Sequence, residues 1–102
     1  MNIQHKTTAK QTSIKISGDL TIFHAAEAKA PLLQDIDKLD RKVTLDLKDV
    51  TELDTAGVQL LLMLKKRVQA QGGTLKIAAH SAPVDQVLAA LNLDPAFTEE
   101  PA

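Results

Sequence analysis

One stretch, Val43 to Gln71, limits what the chain can become, because its hydrophobic period changes once, within a few residues, from that of a strand to that of a helix. Val43, Leu45 and Leu47 alternate with Thr44, Asp46 and Lys48, the pattern of a strand with one face turned to a core. A short acidic turn is expected to follow. From Val58 to Leu64 every residue except Gln59 is apolar, and Leu61, Leu62, Lys65 and Val68 continue the three-and-four spacing from Val58 that marks a helix face. The junction, Leu53-Asp54-Thr55-Ala56-Gly57, hands a strand end to a helix start through one carboxylate, one hydroxyl and two small residues. Either Asp54 or Thr55 suits the cap, where a side-chain oxygen accepting from a first-turn N–H contributes about 1 kcal/mol. Ala56 and Gly57 are expected to leave the helix entrance unobstructed, so that an anion or a partner's backbone can approach the positive end of the helix dipole.

The flanking elements follow from the same reading. Asn2 to Lys6 suits an edge strand, with Thr7 to Lys10 as the turn out of it. Ser13 to Ser17 places the β-branched Ile14 and Ile16 on one face of a second strand. Gly18-Asp19 then fits either a tight hairpin into Leu20-Thr21-Ile22 or a turn into a helix. His24 to Asp37 has helix-forming composition, with Phe23, Ala26, Ala30 and Leu33 at helical spacing as its expected buried face. Pro31 predicts a kink there or two short helices. Gly72-Gly73 stop the central helix, and Leu75, Ile77 and Ala79 alternate in a further strand, giving a parallel strand-helix-strand unit. Ser81 and Pro83 open a last helix with Val84, Val87, Leu88 and Leu91 on its apolar face; Asn92 and Pro95 end it. Phe97 to Ala102 reads as a frayed tail unless Phe97 pins it to the core.

Composition narrows function mainly by exclusion. At 102 residues, with 44% hydrophobic and 25% charged, the chain is the size of a single domain, 1–102. Twelve basic against thirteen acidic residues leave a net charge of -1, so no overall field recommends nucleic acid or an anionic membrane as partner. The absence of cysteine removes disulfides, thiolate catalysis and cysteine-based zinc sites. No leader and no apolar run of about 18 residues is evident, so a cytoplasmic location is expected, without membrane insertion. His5, His24 and His80 stand in different elements without a second ligand at helical spacing, and no phosphate-binding glycine loop or nucleophile elbow is present. Asp46 with Asp49 or Asp54 supplies paired carboxylates, more simply explained by solubility and capping. No catalytic residue, metal or cofactor is expected. A small enzyme using Asp54 and Thr55 would require a deep polar pocket.

The order and spacing of these features resemble the STAS domain found in sulfate transporters and anti-sigma factor antagonists. The resemblance rests on Val43-Thr44-Leu45-Asp46-Leu47, then Leu53 to Gly57 and the leucine-rich helix, with Gly18-Asp19-Leu20 before the first helix. Gly72-Gly73 with Leu75 to Ala79, and Leu91-Asn92-Leu93 at the last helix end, extend it over nearly the whole chain. It implies an α/β fold, a mixed sheet of four or five strands with helices mainly on one side, and it favours a turn into the helix at Gly18. In stand-alone family members the loop reads D-S-S-G and a partner kinase phosphorylates the second serine. Here that position is Ala56, and the hydroxyl lies one place earlier, at Thr55. The function implied first is therefore a non-catalytic, anti-sigma factor antagonist-like interaction module. It docks a kinase-type anti-sigma factor through Asp54, Thr55, Ala56 and Gly57 and the adjoining helix with Gln59, with Thr55 as candidate phosphoacceptor, cap or plain contact. The alternative comes from the STAS subunits of bacterial lipid-asymmetry ABC transporters, which this chain resembles in its D-T-x-G loop and in ending soon after the last helix; there the partner is the ATPase subunit of the phospholipid-transport system. An exposed apolar stripe on the central helix would favour that permanent role, and a polar rim around Thr55 the switched one.

Overall fold

The computed structural model describes residues 1–8, 11–33 and 42–93. In chain order the elements are β1 (Asn2–Thr7), β2 (Gln11–Leu20), α1 (Ile22–Leu32), β3 (Lys42–Leu53), α2 (Thr55–Ala70), β4 (Thr74–His80) and α3 (Ala82–Ala90). The strands form one sheet in the order β1-β2-β3-β4, with β1 antiparallel to β2 and the other neighbours parallel. This is a four-stranded mixed sheet of the expected class. Parallel neighbours need a crossover long enough to return the chain to the same edge, which α2 supplies between β3 and β4.

Alternation along the strands decides where the helices go. Ile14, Ile16, Val43, Leu45, Leu47, Leu75 and Ile77 point to one side and join Ala28 and Leu32 of α1, Val58, Leu61, Leu64 and Val68 of α2, and Val84 and Leu88 of α3 in a single cluster. The other side carries half-buried Ser13, Lys15, Thr44, Asp46 and Lys76, joined across β2 and β3 by a 3.2 Å hydrogen bond between the Ser13 and Thr44 hydroxyls. On α2, Leu60 and Leu64 belong to the core and Met63 packs partly against it, so the apolar face of that helix serves the interior. The helix closes with the Gly73 N–H donating to the Val68 carbonyl and the Gly72 N–H to that of Gln69, which satisfies two end carbonyls.

Five expectations are corrected, each for a physical reason. The acidic turn after Leu47 is strand: β3 runs on to Leu53, with Val50 and Leu53 buried. Its partner β2 skips one β3 residue between Lys15 and Ser17 and another between Gly18 and Asp19, and these bulges move the inward positions from every second residue to 47, 50 and 53. Gly18-Asp19 accordingly lies within β2, where Gly18 takes φ +96° beside the second bulge; a side chain there would be strained and 3.0 Å from the Met1 Cα. The turn into α1 is Thr21 alone. On α1 the buried residues are Ala28 and Leu32, while Phe23, Ala26 and Ala30 are exposed; alanine recurs so often that its spacing fits more than one face. Pro31 falls in the last turn, and the helix ends one residue later, so neither a kink nor a second helix is needed within the described residues. Leu91 is also 45% exposed, because α3 stops at Ala90. The expected helix beyond Leu33 and the Phe97 tail lie outside the described residues.

Candidate functional site

The three helices each begin just after a parallel strand, so Thr21, Asp54 and Ser81 stand where β2, β3 and β4 end. In an open sheet of parallel strands this edge gathers helix N-termini and is the usual place for recognition. Asp54 organises it. Extended backbone at Asp54 puts its carboxylate over the first turn of α2, where Oδ1 accepts from the Gly57 N–H at 3.0 Å. The other oxygen, Oδ2, accepts from the Ile22 N–H at 2.9 Å, the first amide of α1. One carboxylate thus caps two helices. The Ile22 and Gly57 N–H groups, in that order, hold the Asp54 carboxyl below its usual range, against a smaller opposing effect of burial. Such a group is a poor proton acceptor at neutral pH.

The other loop residues divide between interior and surface. Thr55 is exposed at the first position of α2. Ala56 is half-buried and, with exposed Gln59, borders a shallow cleft against Ala25, Ala26 and Lys29 of α1. Gly57 is buried, which corrects its expected place on the contact surface. A Cβ there would overlap the Leu20 carbonyl oxygen and lie 2.8 Å from the Leu53 Cδ1, so the missing side chain makes room for the end of β2 and not for a partner.

Residues that sequence reasoning left out complete the edge. Ile22 and Phe23 are 69% and 84% exposed, apolar and next to the Asp54 carboxylate. Thr21, 6% exposed, is the N-cap of α1, yet its side chain makes no capping bond and its Oγ1 has no hydrogen-bond partner among the described residues. Asp19 Oδ1 is likewise buried and unpartnered. A cleft of about 420 Å³ opens between this corner and α3, lined by Thr21, Phe23, Glu52, Asp54, Pro83 and Val87 among others. The available signal was Phe23, one of two aromatic residues in the chain, and assigning it to a buried helix face concealed it. The histidines do not converge here: His5 Nε2 lies 2.8 Å from the Pro31 carbonyl, His24 pairs with Glu27, and His80 Nδ1 lies 3.1 Å from Asp85. Among the described residues no helix is long and apolar enough to cross a membrane.

Comparison with known proteins finds a family model, described as Mlab, STAS domain, that matches residues 3–98. Among solved structures, an anti-sigma-factor antagonist (STAS) domain protein from Planctomyces limnophilus superposes with a TM-score of 0.82 at 21% identity, over 94% of this chain and 86% of that one. An anti-sigma factor antagonist from Mycobacterium paratuberculosis gives 0.81 at 15% identity, over 99% and 86%. The Bacillus cell fate determinant SpoIIAA in its phosphorylated form gives 0.71 at 17% identity, over 99% and 92%. At these identities the likeness to the solved structures is one of fold.

Proposed function

The chain belongs to the STAS domain family, and from that premise we propose that it is a non-catalytic docking subunit that holds a protein partner in the cytoplasm. The surface is formed by Thr55, Ala56 and Gln59 on α2 together with Ile22 and Phe23 on α1. The observation that carries this reading is the exposure of Ile22 and Phe23 beside the Asp54 loop. Two large apolar side chains left in water at the edge where three helices begin are suited to the dry centre of an interface, with Thr55 and Gln59 as its polar rim. The apolar face of α2 is turned to the core and Thr55 has a polar rim, so a lasting partner is favoured only by the exposed Ile22 and Phe23 of α1 and by the loop sequence. Ala56 cannot accept a phosphate, and the D-T-A-G loop resembles that of STAS subunits that bind the ATPase of a phospholipid-transport ABC system. That ATPase is the partner proposed.

A second reading is favoured by the exposure of the Thr55 hydroxyl at a helix N-terminus. A phosphate there would be stabilised by the helix end while adding negative charge beside Asp54, enough to eject a docked kinase-type anti-sigma factor. Affinity capture from native lysate separates the two. An ABC ATPase recovered at near-stoichiometric yield, lost on Phe23→Ser and with no phosphate on Thr55, supports the subunit reading. A kinase-type partner lost on Thr55→Glu, with phosphate on Thr55, replaces it with the switch. Recovery that is unchanged by Phe23→Ser and Thr55→Glu removes both.

A further inference from the structure

The two edges of the sheet are finished differently. At one edge β4 skips Ala78 in its pairing with β3, between Leu45 and Asp46, and a bulge in an edge strand is a common guard against further pairing. At the other, β1 pairs with β2 from Asn2↔Ser17 to Thr7↔Thr12 without a shift, and it holds neither proline nor glycine. The direction of its backbone groups follows from the turn. The Thr8 N–H donates to the Gln11 carbonyl at 2.8 Å, so Lys6, Gln4 and Asn2, at alternate positions, also turn their groups to β2. Ile3, His5 and Thr7 therefore turn theirs outward, where no further strand stands among the described residues. We infer that this edge pairs with β1 of a second copy of the chain, antiparallel, about a two-fold axis at Gln4.

The register follows from the side chains. A two-fold axis perpendicular to the sheet keeps each side chain on its own face, so residues opposite one another differ by an even number of positions. With the axis at Gln4, Ile3 of each copy lies opposite His5 of the other, and both pairs exchange hydrogen bonds through their outward groups. On the open face Gln4 meets Gln4 and Asn2 meets Lys6, so no like charges are opposed. An axis at His5 would add a bonded pair, but it would set imidazole against imidazole and bring Lys6 diagonal to Lys6. The space beside the edge favours the Gln4 register as well. A cleft of about 450 Å³ lies between β1 and α1, lined by Met1, Asn2, Ile3, Glu27 and Pro31. Opposite Ile3 the second copy brings its His5, an imidazole, to a cleft whose lining includes a carboxylate. The half-buried Ile3 side chain is covered at the same time. Ile22, Phe23, Thr55, Ala56 and Gln59 do not line this cleft, so the pair keeps two docking surfaces and can hold two partner chains.

A strand of six residues on each side is short of the about 20–30 residues of a standard interface, so the dimer is expected to be weak, with Kd on the order of 100 µM. Sedimentation equilibrium of the intact chain from about 10 µM to about 2 mM should pass from one chain mass towards two. Amide hydrogen exchange over the same range should show Ile3 and His5 gaining protection, while Gln4 and Lys6, already bonded to β2, change little. Gln4→Glu places a carboxylate opposite Lys15 within the chain and opposite its own copy across the axis. It is expected to leave the Tm of the dilute chain unchanged or higher and to weaken the dimer about fivefold. Gln4→Lys should weaken the dimer likewise, and an equimolar mixture of the two variants should restore it, because Gln4 faces Gln4 only in this register. A chain still monomeric at about 2 mM, protection gained along β4 in place of β1, or a mixture no tighter than the separate variants would overturn the pairing. No partner protein is needed, so the result is separate from that of the capture experiment.

Discussion

The starts of α2 and α1 sit side by side and are finished differently. At α2 the local chain supplies everything: Asp54 caps the helix three residues ahead, at Gly57, and Gly57 lets the turn close against the Leu20 carbonyl. At α1 the local cap residue, Thr21, leaves its hydroxyl unused, and the first N–H is satisfied from the other helix by Asp54. Apolar burial follows the same division. The α2 start puts Val58, Leu60 and Leu61 into the core, whereas the α1 start leaves Ile22 and Phe23 in water. A helix start complete within its own chain stabilises the fold; one left incomplete is free to serve recognition.

The sharpest way to break this comparison is Gly57→Ala. The added methyl meets backbone, which cannot rotate away, so we expect a loss of about 3 kcal/mol or failure to fold. Chemical denaturation of the variant measures it, and a loss below about 1 kcal/mol would mean that the α2 start is less tightly closed than the contact with Leu20 indicates. The same substitution at Gly72, where nothing lies near, is opposed only by its positive φ and is expected to cost about 1 kcal/mol.

Asp54→Ala removes a cap from both helices and is expected to cost about 2 kcal/mol, at the upper end for a single cap. Its pH dependence carries the same information. The folded-state pKa is lowered, so the stabilisation is fully present above the unfolded value of about 3.9 and is lost as pH falls through the lower folded value. The difference in Tm between the wild type and Asp54→Asn should therefore be constant from neutral pH to about 5 and shrink below about 4. A difference that changes instead near neutrality would assign the stabilisation to another group.

How much of this was legible in the sequence divides along the same line. The strand-junction-helix order, a cap at Asp54 or Thr55, which the structure gives to Asp54, and the burial of Val58, Leu61 and Val68 were readable because each rests on neighbours in the chain. The continuation of β3 was hidden, since two bulges set by pairing with β2 replace the two-residue period that identifies a strand. The α1 face was hidden for a different reason: with alanine at 25, 26, 28 and 30, periodicity has little contrast, and contacts with β2 and α2 decide what is buried. The Asp54 to Ile22 bond spans 32 positions and has no local signature. Thr21 and Phe23 entered the candidate site only through that bond.

Smaller effects of opposite sign should separate the caps of α1 and α3. Ser81 uses its hydroxyl, donating to the Val50 carbonyl at 2.6 Å and facing the Val84 N–H, so Ser81→Ala is expected to cost about 1 kcal/mol. Thr21→Val keeps the shape and deletes a hydroxyl without a hydrogen-bond partner among the described residues, so it is expected to be neutral or to stabilise by up to about 1 kcal/mol. Thermal melts of the two variants against the wild type check the pair, and destabilisation by Thr21→Val would assign the Thr21 hydroxyl a role in the fold.

The smallest stability change and the largest functional one should coincide at Phe23. Its ring is 84% exposed, so Phe23→Ser removes almost no buried area, and its unfolding free energy should stay within about 0.5 kcal/mol of the wild type. Partner recovery should nevertheless fall tenfold or more, because an aromatic side chain dry only in the complex contributes its burial there and nowhere else. Leu61→Ala, at 0% exposure in α2, is the counterpart: it should lose about 3 kcal/mol and reduce partner recovery only as far as it unfolds the chain. If Phe23→Ser instead destabilises the chain like a core substitution, the ring is held by the fold, and the contrast between the two helix starts disappears. If it leaves both stability and recovery unchanged, the partner docks elsewhere, and the open corner around Thr21 has to be explained without it.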